Sequence, residues 1–435
     1  MTGAPSSIWT CSVDTSGSQP VAALKLSRNL GTPLPFTIKG VCYSPCPINA
    51  ANSNAPGLGD WFWDSYSGPG YGITDWGALW QRDLGNIAAM GANTIRVYNM
   101  MSRQINQDGT YPQPWNSGQL FTHQAFLDAC LAQGLYVVVG IGLPQQMFWT
   151  DPPGPAAMAG EIDFWNNVLG ETATQVGTHP AVLGFIFMNE WDANLVTYPY
   201  PIGAPTNLDA VSYWWSQIQA LAAVVKAAAP GKLVGMAMHD DPNICGGAAS
   251  YMAQCPAVDF WGVNSYQTQT FAPVFGSTPA GPGYAGLTGD ALKPVLLTEW
   301  GMPATTRTDP SNPATICQTA QSIANAAAVA TTMLPLAYAQ TLCLGLCYFE
   351  YCDEWWNQAG SPNIYTWYGG PAAPGFPNGY WDQDGFGLYQ TIPGAGKNGG
   401  SVWCQDGGYG QPCTPIDSMD IRQATVTAVT TAFGG

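Results

Sequence analysis

The stretch "VLGFIFMNE", residues 182–190, is an apolar run that ends on a carboxylate, Glu190. Its length and its content of Val, Ile and Phe predict a buried strand of the kind found in parallel sheets. A strand of this type gains nothing structural from an acidic last residue. The charge on Glu190 therefore points to chemistry at the end of the strand.

Seven further apolar runs alternate along the chain with Ala-rich segments of helical period. In chain order the eight runs are "FTIKGVCY" (36–43), "NTIRVYNM" (93–100), "LYVVVGIG" (135–142), "VLGFIFMNE" (182–190), "KLVGMAMH" (232–239), "VDFWGVNSY" (258–266), "PVLLTEWG" (294–301) and "LCLGLCYFE" (342–350). This alternation predicts an α/β fold of the (β/α)8 TIM-barrel type.

The predicted helices lie between and after these strands, at 75–90, 121–133, 160–178, 208–229, 246–253, 284–292, 313–332 and 416–433. A TIM barrel usually takes about 250 residues, so a chain of 435 residues has long loops, most of them after strands. We expect one catalytic barrel domain over 1–435, with an N-terminal extension at 1–35 packed outside the barrel. The aromatic-rich insertion 351–415, after strand 8, is expected to form a loop region or small subdomain over the cleft.

The composition restricts the partners of the protein. Acidic residues outnumber basic ones by 28 to 12, and the formal net charge of −16 argues against nucleic acid or an anionic membrane surface. No apolar stretch reaches the roughly 20 residues that a membrane-spanning helix needs. We expect a monomer whose partner is neutral or cationic.

The twelve cysteines lack the spacing of a zinc site, which favours disulfides in an oxidising compartment and hence a secreted protein. No signal peptide opens the chain, so we expect a mature form that begins with an added Met1. The predicted local disulfides are Cys245–Cys255 and Cys404–Cys413, because each closes a short loop. Cys343 and Cys347 lie inside an apolar strand, where they could be free buried thiols or could form a disulfide.

Alternation of side chains places Glu190 at the inward end of strand 4 and Glu299 at the inward end of strand 7. Both carboxylates should therefore meet at the C-terminal mouth of the barrel. Glycoside cleavage needs such a pair, in which one carboxyl protonates the leaving oxygen and the other attacks or directs water. The alternative is that each glutamate only pairs with a nearby cation.

The motifs "NE" after strand 4 and "TEWG" after strand 7 resemble those of the retaining (β/α)8-barrel β-glycosidase superfamily, glycoside hydrolase clan A. The chain is most similar to β-1,3-glucanosyltransferases and related endo-β-glucanases, through "IKGVCYSP", "MGANTIRVYNM", "DFWGVNSY" and "PVLLTEWG". The resemblance implies that Glu190 is the general acid/base and Glu299 the nucleophile. It also implies that Asn189 binds the substrate 2-hydroxyl.

The same resemblance implies that Arg96 and Tyr266 hold the nucleophile. Arg96 shares an inward file with Tyr98, and its guanidinium beside Glu299 would keep that carboxylate ionised. A structural ion pair inside the barrel is the alternative. Further candidates for substrate binding or support are Tyr43, Tyr98, His239, Asn264, Trp191, Trp300 and Glu350.

Aromatic side chains on the loops after strands could stack on sugar rings or simply pack. Glu350, Asp353 and Glu354 follow strand 8 and could contact sugar hydroxyls or be ordinary loop acids. The three histidines have no partners at metal-ligand spacing, and no Gly-rich stretch follows a strand in a phosphate-binding arrangement. We therefore expect neither a metal nor a cofactor.

These features together predict a secreted retaining β-glycoside hydrolase or transglycosylase that acts on a β-glucan, with β-1,3-glucan favoured. The reaction would be a double displacement through a covalent glycosyl intermediate on Glu299. A β-1,4-glucanase or β-mannanase on the same barrel is one alternative. A catalytically silent carbohydrate-binding protein is the other.

Overall fold

Eight parallel strands close into a barrel in the computed structural model, which describes residues 6–45, 64, 73–103, 111–143, 156–190, 207–240, 242, 248–278, 281–354, 369–392 and 418–435. The barrel strands are β4 (Ile38–Cys42), β5 (Thr94–Arg96), β6 (Tyr136–Ile141), β7 (Val182–Asn189), β8 (Leu233–His239), β9 (Phe260–Asn264), β12 (Val295–Trp300) and β15 (Cys343–Tyr348). They pair in that order, and β15 returns to β4. All eight strands predicted from the sequence are present, which confirms the (β/α)8 barrel.

The strands form a packed core because nearly all of their residues are apolar and buried. Every residue of β6 is buried, as is every residue of β7 except the last, Asn189. At Gly140 in β6, a Cβ atom would lie only 2.1 Å from the backbone oxygen of Val97. Glycine is therefore required where the chain after β5 approaches β6.

Helices surround the barrel. In the described residues they are α1 (Ile73–Ala89), α2 (Gln124–Ala132), α3 (Ala156–Gly177), α4 (Asn207–Ala228), α5 (Ala249–Met252), α6 (Ala272–Phe275), α7 (Ala320–Tyr338) and α8 (Gln423–Phe433). Asp64 fixes the start of α2, since its carboxylate accepts hydrogen bonds from the backbone N–H groups of Gln124 and Ala125. No helix in these residues is long and apolar enough to span a membrane.

One predicted helix is wrong, and two others begin seven residues later than predicted. The segment 284–292 forms two 3-10 turns, Tyr284–Gly286 and Gly289–Ala291, because Gly289 adopts a left-handed φ of 58° that interrupts a helix. Helix α7 starts only after Thr319, whose side chain caps it in a capping box with Ser322. Helix α8 starts at Gln423 because the preceding residues form a strand.

The N-terminal residues form a small antiparallel sheet of β1 (Ser7–Asp14), β2 (Val21–Arg28) and β3 (Leu34–Pro35). This sheet covers the N-terminal end of the barrel. Trp9 is buried there against Phe36 and Tyr136, with ring centroids 4.9 and 4.8 Å away. Lys232, just before β8, donates to the Ser7 hydroxyl at 2.7 Å. The sheet therefore closes the end of the barrel opposite the predicted cleft.

Shorter strands pair outside the barrel: β10 (Ser277–Thr278) with β11 (Gly281–Pro282), β13 (Thr305–Arg307) with β14 (Ile316–Gln318), and β16 (Tyr389–Ile392) with β17 (Ser418–Ile421). Arg422 follows β17 and is fully buried. It donates two hydrogen bonds to Asp353, after β15, and one to Gln318 at 2.6 Å. Arg422 therefore connects the C-terminal segment to the loop after β15.

We expect Arg422→Met to destabilise the protein by about 3–5 kcal/mol, because it leaves the Asp353 carboxylate buried without its cation. Both side chains of this pair are 0% exposed. Arg103→Met is the matched control, since its pair with Glu171 is partly exposed and should contribute about 1 kcal/mol or less. Urea unfolding measures both free energies of unfolding. Equal losses would contradict the role of Arg422.

The cysteines correct one predicted disulfide. Cys255 is a free buried thiol whose Sγ donates to the backbone oxygen of Trp215 at 3.6 Å, so the Cys245–Cys255 bridge is not formed. The side chain of Cys255 contacts the backbone of helix α4 and of Tyr251. Cys343 and Cys347 are free thiols. The predicted pair Cys404–Cys413 lies outside the described residues.

Candidate active site

The end of β7 departs from regular strand geometry. Its pairing with β8 shifts register between Ile186 and Asn189, and Met188 and Glu190 have φ values of 90° and 56°. Regular alternation would place Asn189 and Glu190 on opposite faces. The irregular backbone brings both side chains to the cleft. Left-handed backbone at residues other than glycine is costly and concentrates at functional sites.

Glu299 lies on the other side of the barrel mouth, near the end of β12, and is 4% exposed. Its Oε1 accepts hydrogen bonds from Arg96 Nη1 and from the Tyr98 hydroxyl, both at 2.8 Å. Its Oε2 accepts from the Tyr266 hydroxyl at 2.5 Å. A buried guanidinium and two hydroxyl groups therefore stabilise negative charge on Glu299.

Arg96 is buried and also binds Asn189, whose Oδ1 accepts from Nη2 at 2.8 Å. Asn264 connects the same network to Glu190. Its Oδ1 accepts from Arg96 Nη1 at 3.2 Å, and its Nδ2 donates to Glu190 Oε1 at 2.9 Å. One amide therefore links the environments of the two glutamates.

Glu190 differs from Glu299 in exposure and in charge neighbours. The side chain of Glu190 is 33% exposed, against 5% for Glu299. His239 Nε2 lies 3.8 Å from Glu190 Oε2, and the backbone N–H of Glu190 donates to Ala237 O at 2.9 Å. The two carboxylates are thus held in unlike surroundings, as an acid and a nucleophile require.

Both glutamates line one cavity of about 420 Å³ at the C-terminal end of the barrel. The other residues of its wall are Tyr98, Asn189, Tyr266, Phe349, Glu354, Trp381 and Gln383. Trp381 and Gln383 come from the described part of the insertion after β15. The ring of Trp381 lies 4.5 Å from that of Tyr266. The strand ends and this insertion therefore enclose the two carboxylates together.

Two of the predicted substrate-binding residues do not reach the cleft. Tyr43 is fully buried and donates to Asp83 of α1 at 2.9 Å. Trp300 is fully buried as well, and its Nε1 donates to the backbone oxygen of Gln267 at 2.9 Å. Trp300 follows Glu299 directly and packs on the outer side of the barrel wall. Both residues support the site and cannot stack on a sugar.

The acids after β15 divide into three cases. Glu354 lines the cavity with the two glutamates, whereas Asp353 is paired with Arg422. Glu350 is 2% exposed, does not line the cavity, and its Oε1 has no hydrogen-bond partner among the described residues. Burial, together with the nearby Glu354 and Asp353 carboxylates, raises the pKa of Glu350 well above its usual value. Of the two roles that the sequence leaves open for Glu350, its burial away from the cavity favours a loop acid over a sugar contact.

Glu350→Gln should stabilise the protein relative to wild type by an amount that grows as pH rises above 4.5, the ordinary pKa of this side chain. The raised pKa means that the folded protein holds the proton of Glu350 more tightly than the unfolded chain does, so the contribution of Glu350 to wild-type stability falls as pH rises from 4.5 towards the pKa in the folded state. Melting temperatures measured from pH 4 to 8 test this. The two proteins should differ least at pH 4, and parallel curves would contradict the raised pKa of Glu350.

His239 ends β8 and, as described above, lies beside Glu190. Trp191 lies outside the described residues. Asp240, Gln267 and Gln383 also line the cleft and are not among the predicted site residues. Asp240 directly follows β8 and Gln267 lies shortly after β9, so proximity to a strand end is the signal that could have indicated them. Gln383 belongs to an insertion whose local pattern carries no such signal.

A sequence model for cellulase (glycosyl hydrolase family 5) matches residues 59–236. The matched range includes β5, β6 and β7 and ends inside β8, so it contains Arg96, Asn189 and Glu190. The match covers less than half of the chain, and over this range the chain is similar to glycoside hydrolases of clan A. No curated protein matches its sequence.

Solved structures similar to this chain include Saccharomyces cerevisiae Gas2p in complex with laminaritriose and laminaritetraose, at 15% identity and a TM-score of 0.46. This match covers 92% of the chain and 64% of Gas2p. A GH2 β-galacturonidase from Eisenbergiella tayi bound to galacturonate has 14% identity and a TM-score of 0.47, covering 98% of the chain and 54% of that protein. A Ruminococcus gnavus β-glucuronidase has 11% identity and a TM-score of 0.48, and the match covers 98% of the chain and 53% of that protein. In each case the chain spans less than two thirds of the other protein.

Proposed function

We propose that this protein is a retaining glycosidase that acts by double displacement, with Glu299 as nucleophile and Glu190 as general acid/base. The observation that carries the proposal is the shared cavity of the two carboxylates. Glu299 is buried beside Arg96, whereas the side chain of Glu190 is one-third exposed. Retaining glycosidases need this division of roles between two carboxyl groups.

In the first step Glu299 attacks the anomeric carbon, and the bond from that carbon to the leaving oxygen breaks. Glu190 donates its proton to this oxygen, so the leaving sugar departs as an alcohol and the donor sugar becomes an ester of Glu299. In the second step Glu190 takes a proton from water or from a sugar hydroxyl, which attacks the same carbon and releases Glu299. Hydrolysis and transfer differ only in this acceptor.

Asn189 is placed to bind the donor sugar in both steps. Its Oδ1 accepts hydrogen bonds from Arg96 and from Asn264 at 2.8 and 2.9 Å. The Nδ2 group of Asn189 is left to donate to a sugar hydroxyl, since the residue lines the cavity with both glutamates. This supports the role at the 2-hydroxyl implied by the sequence resemblance, where contacts strengthen in the transition state.

The substrate we propose is a β-glucan, with β-1,3-glucan favoured by the sequence motifs shared with glucanosyltransferases. The described walls of the cleft contain carboxylates but no Lys or Arg, which suits uncharged sugars better than uronic acids. The matched family model is described as cellulase, and this favours a β-1,4-glucan as the second candidate, with β-mannan beside it. We also propose that the protein is secreted and acts as a monomer.

Digestion of laminarin, cello-oligosaccharides and mannan, followed by proton NMR of the first products, tests this proposal. We expect laminarin to be cleaved fastest and the new reducing end to appear first as the β anomer. Longer products after addition of an acceptor oligosaccharide would show transfer. An α anomer formed first would contradict double displacement. Glucan binding without any product would favour the catalytically silent alternative.

A further inference from the structure

A second cavity of about 440 Å³ adjoins the first and is nearly equal to it in volume. The two cavities share Glu190, Tyr266 and Trp381, but Glu299 lines only the first. The second is built by residues after β8 and β9 and by the insertion residues 373–376. Glu190 therefore lies at the boundary between a cavity that contains the nucleophile and one that does not.

The chemistry of the reaction assigns a different sugar to each cavity. The nucleophile must face the anomeric carbon of the donor sugar, which places this sugar in the first cavity. The general acid must contact the glycosidic oxygen, which joins the donor to the leaving group. The leaving group then lies beyond Glu190, in the second cavity. An acceptor hydroxyl that attacks in the second step takes the position of the departed oxygen, so it enters the same space.

The second cavity has a fixed polar pair. Asp240 Oδ2 accepts hydrogen bonds from Gln267 Nε2 at 2.6 Å and from the Ser265 hydroxyl at 3.2 Å. Among the described residues both side-chain bonds fall on Oδ2, so Oδ1 has capacity to accept from a ligand. Trp300 Nε1 donates a hydrogen bond to the backbone oxygen of Gln267 at 2.9 Å. These contacts position Asp240 and Gln267 without any help from a ligand.

The same cavity also has an aromatic wall. The rings of Phe376 and Trp381 are 5.0 Å apart and both line it, beside Pro374. Sugars combine an apolar C–H face with hydroxyl groups that need polar partners, and a carboxylate with an amide can bind two such hydroxyls. The lining therefore fits a sugar ring better than a flat aromatic or a charged ligand.

We propose that the second cavity is the subsite for the leaving and acceptor sugar, and that Asp240 and Gln267 are its specificity-determining residues. This inference rests on the proposed function, because it takes Glu190 as the acid/base. Asp240 and Gln267 are not needed for hydrolysis by Glu190 and Glu299. The pair controls how often a sugar, instead of water, receives the donor.

The test uses β-laminaribiosyl fluoride as donor, with laminaribiose or cellobiose as acceptor in separate reactions. Fluoride is a small leaving group that makes no contact with Asp240 or Gln267, so fluoride release reports formation of the intermediate. The measured quantity is the ratio of transfer product to hydrolysis product at a fixed acceptor concentration. This ratio is independent of the total activity of each variant.

We expect Asp240→Asn and Gln267→Ala to lower this ratio about 10-fold or more with at least one acceptor, as for loss of a hydrogen bond to a charged group. Asp128→Asn is the matched control, because Asp128 lies on α2 with a side chain that is 61% exposed, and it should leave the ratio unchanged. Unchanged ratios in both cleft variants, or no transfer product from wild type, would overturn the subsite. No fluoride release from wild type would instead overturn the proposed function.

Discussion

Replacement of Glu299 by alanine should lower turnover on the natural glucan by about 10⁴-fold or more, because no other group can form the glycosyl ester. The variant should still fold, since the cavity beside Glu299 admits water in place of its carboxylate. Arg96 would lose one acceptor but keep Asn189 and the backbone oxygen of Thr298, at 2.8 and 2.9 Å. Reducing-end assays measure the loss, and the melting temperature checks the fold.

Glu171→Gln is the matched control for this variant. Glu171 lies on α3, where it pairs with Arg103 at 2.7 Å, and it does not line either cavity. Its replacement should leave glucan turnover within about twofold of wild type, the range usual for surface changes away from the site. Near-normal turnover by Glu299→Ala in the same assay would refute its assignment as nucleophile.

Replacement of Glu190 by alanine should give a loss that depends on the leaving group. Cleavage of the glucan should slow by about 10²–10⁴-fold, the contribution of general acid catalysis, because the sugar alkoxide must then leave without a proton. A β-glucosyl fluoride needs no such proton, so formation of the intermediate should be nearly unaffected. Comparison of the two substrates under identical conditions measures this difference.

Azide offers a second readout for the same variant. Azide can attack the intermediate without a general base, so its addition should restore turnover of the fluoride and yield a β-glycosyl azide. Equal losses on glucan and fluoride would show that Glu190 acts in binding or folding and not as an acid. An α-glycosyl azide would contradict the intermediate on Glu299.

The barrel and the meeting of Glu190 and Glu299 in one cavity could be predicted from the sequence because both depend on local patterns. Parallel barrel strands are buried on both faces, and their apolar runs are easily recognised. A carboxylate at the end of such a run has few structural explanations. Two such carboxylates, on different strands, both lie at the mouth of a barrel. These patterns predict that Glu190 and Glu299 lie at the barrel mouth. Alternation along β5 and the residues after it predicts that Arg96 and Tyr98 point inward as well.

Other features depend on tertiary contacts that no local pattern reveals. The irregular pairing of β7 with β8 turns both Asn189 and Glu190 to the cleft, although alternation alone predicts only one. The position of Trp300 next to Glu299 suggests a sugar contact. Successive side chains of a strand point to opposite faces, however, so Trp300 points away from the face that carries Glu299. Trp381 and Gln383 reach the site through the packing of an insertion without periodicity.

The central claim is that Glu299 forms a covalent bond to the donor sugar, and a trapped intermediate tests it most directly. A 2-deoxy-2-fluoro-β-laminaribiosyl fluoride should react with the enzyme, because its fluoride leaves readily, while the fluorine at C2 disfavours the oxocarbenium-like transition state of the second step. Mass spectrometry of the digested protein should then show one modified peptide, with the sugar on Glu299. A label on Glu190 or Glu354, or turnover of this compound with no label, would contradict the account.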